Sequence, residues 1–204
     1  MTRLFYAILA NCLIASLTNT FVWFAVTFWV YLQTQSVLAT SIMAGVYLVT
    51  VAISGFFLGS IVDRYPKKTA MMFSSVGSLG LYVLAYSIFV ATPAAAFTNP
   101  SSMSLWAFIT LALFGAIAGN LRTIALPTLV TLLIPEAKRD QANGLVGTAN
   151  GVSFLIASIF SGSAIGFLGV YWMLIFAIVL TALTILHLAT IRVPEQRILH
   201  TEAK

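Results

Sequence analysis

Arg122 is the residue whose type and position first demand a chemical explanation. It lies inside a long apolar run, about 17 residues from one end and about 12 from the other, roughly 18 Å deep at 1.5 Å per residue. A charge at that depth is costly and must face a bundle interior or a wet cavity. There a guanidinium either contacts an anionic or polar solute, or pairs with helix carbonyls or with side chains such as Asn11 or Asn19. The acids, Asp63, Glu136, Asp140, Glu195 and Glu202, all lie in polar connectors or the tail. No carboxylate within the apolar runs can therefore pair with Arg122 or carry a proton. His187, near the inner end of the last run, reads as an interfacial polar residue, with titration as the alternative. Ser161-Gly162-Ser163 together with His187 superficially suggests a six-helix intramembrane serine protease. The Gly-x-Ser-Gly motif is not matched, however, and His187 lies too near the inner end. There is no metal constellation, phosphate-cradling glycine loop or dinucleotide fingerprint. With Cys12 the sole cysteine, there is no disulfide framework either. No enzyme activity, cofactor or metal is expected.

The elements that position these residues follow from composition. Of 204 residues, 60% are hydrophobic and 7% charged, and the mean hydropathy is +1.02. A soluble domain carries roughly 25% charge, and a disordered chain lacks so much apolar material. The solvent for most of this chain is lipid. The apolar runs are continuous rather than alternating, which argues against barrel strands. Six of them have the length of membrane helices: 4–32, 37–62, 69–91, 105–134, 144–167 and 171–191. The first is too long for a cleaved signal peptide. A very short turn near Gly169 joins the last two, and a polar tail follows at 192–204.

Every basic residue except Arg122 falls before the first run, in alternate connectors or in the tail: Arg3; Arg64, Lys67 and Lys68; Lys138 and Arg139; Arg192, Arg197 and Lys204. This predicts both termini in the cytoplasm. On a soluble protein the net charge of +5 would suggest nucleic acid. Here it reports topology, and the partner is the bilayer. Glycines four apart (Gly55 and Gly59, Gly115 and Gly119, Gly147 and Gly151, Gly162 and Gly166) allow close helix approach in lipid, with the fifth span expected in the tightest contact. Pro127 is expected to kink the fourth span. On the first span Asn11 and Thr18 form a polar stripe near Trp23, Phe24 and Trp29. That stripe either lines an amphipathic cavity or supplies interhelical hydrogen bonds.

Between the second and third spans, Gly59-Ser60-Ile61-Val62-Asp63-Arg64-Tyr65-Pro66-Lys67-Lys68 resembles the cytoplasmic signature of the major facilitator superfamily, Gly-x-Leu-Ala-Asp-Arg-x-Gly-Arg-Lys. Ile61 stands for the Leu and Pro66 for the second Gly. The segment 11–36, and the stretch from Pro127-Thr128-Leu129 through Pro135-Glu136 to Gln141-Ala142-Asn143-Gly144, resemble drug- and macrolide-efflux-like members. Two motifs depart from the family. Arg122 is out of register with its helix 4 arginine, and 157–162 lacks the Pro and two of the three glycines of its antiporter signature. The resemblance implies an all-α bundle of 3+3 inverted repeats, one six-helix half of a twelve-helix transporter that works by alternating access. It implies a conformational latch at Gly59, Asp63, Arg64, Lys67 and Lys68, and a small-molecule substrate, by expectation exported. Arg122, Asn11 and Asn19 are the candidate substrate or coupling residues. The expected location is the plasma or bacterial inner membrane. The expected partner is a second six-helix half, covalent or separate; a homodimer of halves and a non-transporting membrane subunit are the alternatives.

Overall fold

The computed structural model describes residues 3–193; the tail beyond, with Glu195, Arg197, Glu202 and Lys204, lies outside the described residues. The elements are α1 (Arg3–Thr34), α2 (Val37–Arg64), α3 (Lys67–Ala91), α4 (Met103–Gly119), α5 (Leu121–Leu133) and α6 (Arg139–Thr190), with 3₁₀ turns at Ala94–Phe97 and Glu136–Lys138. In lipid each spanning segment must satisfy its own backbone, which helices do. Hydroxyls on these helices donate back to carbonyls one turn earlier, Thr18 to Ile14 and Thr27 to Trp23, which hides them from hydrocarbon. The α1–α2 turn is tight. Gln35 takes φ 49°, and the Ser36 hydroxyl caps α2 by accepting from the Ala39 amide at 3.1 Å.

Five helical segments are long and apolar enough to cross a membrane: Arg3–Thr34, Val37–Arg64, Lys67–Ala91, Met103–Leu133 and Glu136–Thr190. The last covers both of the final two runs. It is interrupted at Gly169, whose φ of 77° and ψ of 173° suit glycine alone. Contacts change sense across this point. Before it, Phe24 meets Phe154 and Phe28 lies over Gly162, so α1 and α6 advance together. After it, Tyr86 meets Tyr171 while Lys68 reaches Ile191, so α6 descends as α3 rises.

The fourth run differs from expectation. α5 runs through Pro127, and the break falls instead at Asn120, where i→i−3 bonds to Ile117 and from Thr123 tighten the chain. The residue before the break, Gly119, lies against the Asn19 carboxamide of α1, where a Cβ would have no room.

Two apolar clusters fill the bundle. One gathers Val22, Val26, Trp29, Tyr82, Phe97, Phe108 and Leu174; the other gathers Phe5, Ile8, Met71, Leu126, Leu129 and Leu188. Between their levels lie buried polar residues: Asn11, Thr18, Asn19, Ser74, Ser75, Ser78, Arg122, Thr181 and Thr184. The outside is the reverse, with Phe56 79% and Phe167 89% exposed, as expected where the surroundings are hydrocarbon.

Candidate functional site

The polar layer is built by four elements. Arg122 sits on the first turn of α5, just past the break, and is only 2% exposed. Its Nε donates to Ser75 Oγ of α3 at 3.1 Å, as does its Nη2, and its Nη1 donates to Asn11 Oδ1 of α1. Asn11 in turn donates to the Thr184 carbonyl of α6 at 2.9 Å and faces His187 Nδ1 at 3.1 Å. The buried Cys12 thiol lies against the same guanidinium. α1, α3 and α5 thus meet at one cation with no carboxylate partner among the described residues, and α6 joins them through Asn11. Chemically the arrangement can hold or release an anionic or polar group, or lock the four helices together. It offers no nucleophile paired with a base.

A second knot lies about two turns along α1. Tyr82 Oη donates to Asn19 Oδ1 at 2.9 Å, while Asn19 Nδ2 and Trp23 Nε1 are buried with no partner among the described residues. Trp23 stacks on Tyr47 of α2, with ring centres 5.3 Å apart. Ser74 and Ser78 clasp α3 to α4 through the carbonyls of Ala118 and Gly115, at 2.6 and 2.7 Å. The sequence reading missed Ser75, Ser78 and Tyr82. Ser75, Ser78 and Tyr82 lie three to four residues apart, and that spacing was the available signal.

Asn11 and Thr18 are buried in the bundle interior. An apolar groove of about 520 Å³ lies elsewhere, between Leu17 and Phe21 of α1 and Phe160, Phe167, Phe176 and Leu180 of α6. Glycine packing also needs correction. A side chain at Gly115 would come within 2.6 Å of Tyr82, and one at Gly119 would collide with Asn19. Nothing lies within 4 Å of a Cβ at Gly55, Gly59, Gly147, Gly151 or Gly166, and Gly162 meets Phe28 at an ordinary 3.7 Å. The fifth-span stretch of α6 packs on α1 through other residues, with Ser153, Ala157, Ser161 and Ile165 buried, while Gly147, Gly151 and Gly166 face outward.

The residues of the 59–68 segment divide. Asp63 and Arg64 are exposed at the end of α2, and Asp63 has no ion pair among the described residues. Lys67 is buried and its ammonium donates to the Val62 carbonyl. Lys68 reaches α6, donating to Ile191 at 2.6 Å and to Ala189 at 3.3 Å. Ser161 and Ser163 donate to carbonyls of their own helix, and neither bonds His187 among the described residues.

A bundle of long apolar helices around a buried polar layer defines a multi-pass membrane protein. Residues 8–203 match the Major Facilitator Superfamily, and the chain belongs to that family of membrane transporters. No curated protein and no solved structure matches it significantly.

Proposed function

We propose that the chain is one six-helix lobe of a facilitator that exports a small molecule by alternating access, with both termini in the cytoplasm. The family match over 8–203 carries the transport reading. The reversal of α6 at Gly169 supports six passages and a 3+3 repeat. Asp63, exposed beside cationic neighbours, fits a latch whose second member lies on another segment, closing and opening as two lobes rock. The outward glycines of α6 and the little-buried α2 fit a face for that second lobe. Arg122 and Asn11 are the proposed substrate or coupling residues. A solute with an anionic or strongly accepting group would compete with Asn11 and Ser75 for the guanidinium. The resemblance to drug- and macrolide-efflux-like members supports outward movement.

The test is macrolide accumulation in cells that express the protein with whatever second lobe its coding region supplies. Expression should lower accumulation, and Asp63→Asn should restore it while the protein still inserts at normal levels. Equal accumulation with and without the protein overturns the efflux reading. Undiminished export by D63N removes the latch.

A further inference from the structure

The hydrogen bonds around Asn11 fix the protonation state of a neighbouring histidine. A guanidinium only donates, so the oxygen of Asn11 must face Arg122. A backbone carbonyl only accepts, so the amide nitrogen must face Thr184. Both constraints set the carboxamide the same way round. Its second N–H therefore points at Nδ1 of His187, 3.1 Å away, and Nδ1 must offer a lone pair. The contact admits only the neutral imidazole with its proton on Nε2.

A proton taken from water onto Nδ1 would set N–H against N–H. Turning the carboxamide over does not rescue the contact. That would aim its NH₂ at Arg122 and its oxygen at the Thr184 carbonyl, losing two hydrogen bonds to regain one. The charged and polar groups around the ring come from each helix packed there. From α5 comes Arg122, through Asn11; from α1, the neutral Asn11 and Cys12; from α3, Lys68, bonded to Ala189 and Ile191 on the same helix end. On α6 itself are Thr184, Thr190, whose hydroxyl donates to the His187 carbonyl, and Arg192 just past the helix end. No carboxylate faces the ring among the described residues. His187 is exposed, three residues from the end of α6.

We infer that His187 is a proton site: neutral, it ties the end of α6 to Asn11 of α1, and protonated, it lets go. The idea rests on no assumption about what solute is carried. It gives a lobe with no acid in its spans an element that responds to protons.

The experiment uses His200→Gln protein, leaving His187 as the single histidine, in lipid nanodiscs with ¹⁵N-labelled histidine and asparagine. At pH 8 the ring should show one tautomer, with Nδ1 bare and Nε2 protonated. Between pH 8 and 5 the Asn11 side-chain amide signals should shift along the same curve as the imidazole. In Asn11→Ala the tautomer preference should be lost. A tautomer mixture or a protonated Nδ1 at pH 8 overturns the proposal. So do Asn11 signals that stay fixed through the titration, or a ring that does not titrate in that range. None of these readings needs flux, so the proton site and the transport reading fail separately.

Discussion

Gly119→Ala should be the most damaging single methyl that can be added to this bundle, and for a local reason. A Cβ there would lie 2.6 Å from Cγ and 2.7 Å from Oδ1 of Asn19, and closer still to Nδ2. These are not the far ends of a long flexible side chain. The carboxamide is 95% buried, at 5% exposure, and is held by Tyr82 at 2.9 Å. To admit the methyl, Asn19 must abandon Tyr82 or α1 must move off α4. Overpacking costs about 1–3 kcal/mol, and a buried hydrogen bond broken without replacement adds about 1–3 kcal/mol. The two together cost about 2–6 kcal/mol, offset by up to about 1 kcal/mol from the gain in helix propensity. Reversible unfolding in mixed micelles, followed by tryptophan fluorescence, would measure it. The decisive comparison is a double-mutant cycle. In an Asn19→Ala background the methyl has room, so G119A should there cost under about 1 kcal/mol. Gly147→Ala, which faces open space, should be neutral or slightly stabilising in either background. If G119A costs as much without Asn19 as with it, the close fit of Asn19 on Gly119 is refuted as the reason.

Two further outcomes follow from the layer and the topology. While the Ser75 hydroxyl keeps its bond to the Met71 carbonyl at 2.8 Å, Arg122→Ala orphans Asn11 Oδ1, at about 1–3 kcal/mol for a buried acceptor. It should lower unfolding stability and also change solute export per folded molecule; a loss of folded yield alone would make Arg122 purely structural. In a Cys12→Ala background, Asn99→Cys should react with an impermeant maleimide from outside intact cells and Lys138→Cys only after permeabilisation. Labelling of both from the same side would defeat the proposed orientation.

The runs of apolar residues made the helices legible, because a segment in lipid has few alternatives to a helix. The polar stretch Asp63 to Lys68 holds the end of α2 and the start of α3. What could not be read was which face each helix turns inward. Apolar residues cover both faces of a membrane helix, so periodicity carries little information. The glycines show this best. Four pairs had the same spacing, yet only Gly115 and Gly119 meet another element closely, since only they lie opposite Tyr82 and Asn19. The break at Asn120 lies seven residues before Pro127, which stands inside α5; the contact of Asn19 with Gly119 beside it comes from a neighbouring helix that the local sequence does not show. Asn11 was picked out by its polarity, but its place between Arg122, Thr184 and His187 required the fold.

The basic residues carry one more step. Read as charges, Lys67, Lys68 and Arg139 are topology markers. In the structure each also supplies donors to helix ends: Lys67 to Val62 at the end of α2, Lys68 to Ala189 and Ile191 at the end of α6, and Arg139 to Thr131 and Ile134 at the end of α5. In all three cases a cation meets the carbonyl end of a helix, where the last four carbonyls lack partners and the dipole is negative. The proposed topology explains the coincidence. With the amino terminus inside, the even passages finish at the cytoplasmic face, which is where lysine and arginine are retained. The same residues then orient the helices during insertion and cap them afterwards. Arg122, at the opposite end of α5 from Arg139, has no free carbonyl end to serve. It is held by side chains alone, Asn11 and Ser75, and side chains can exchange their partners for a solute as a helix end cannot.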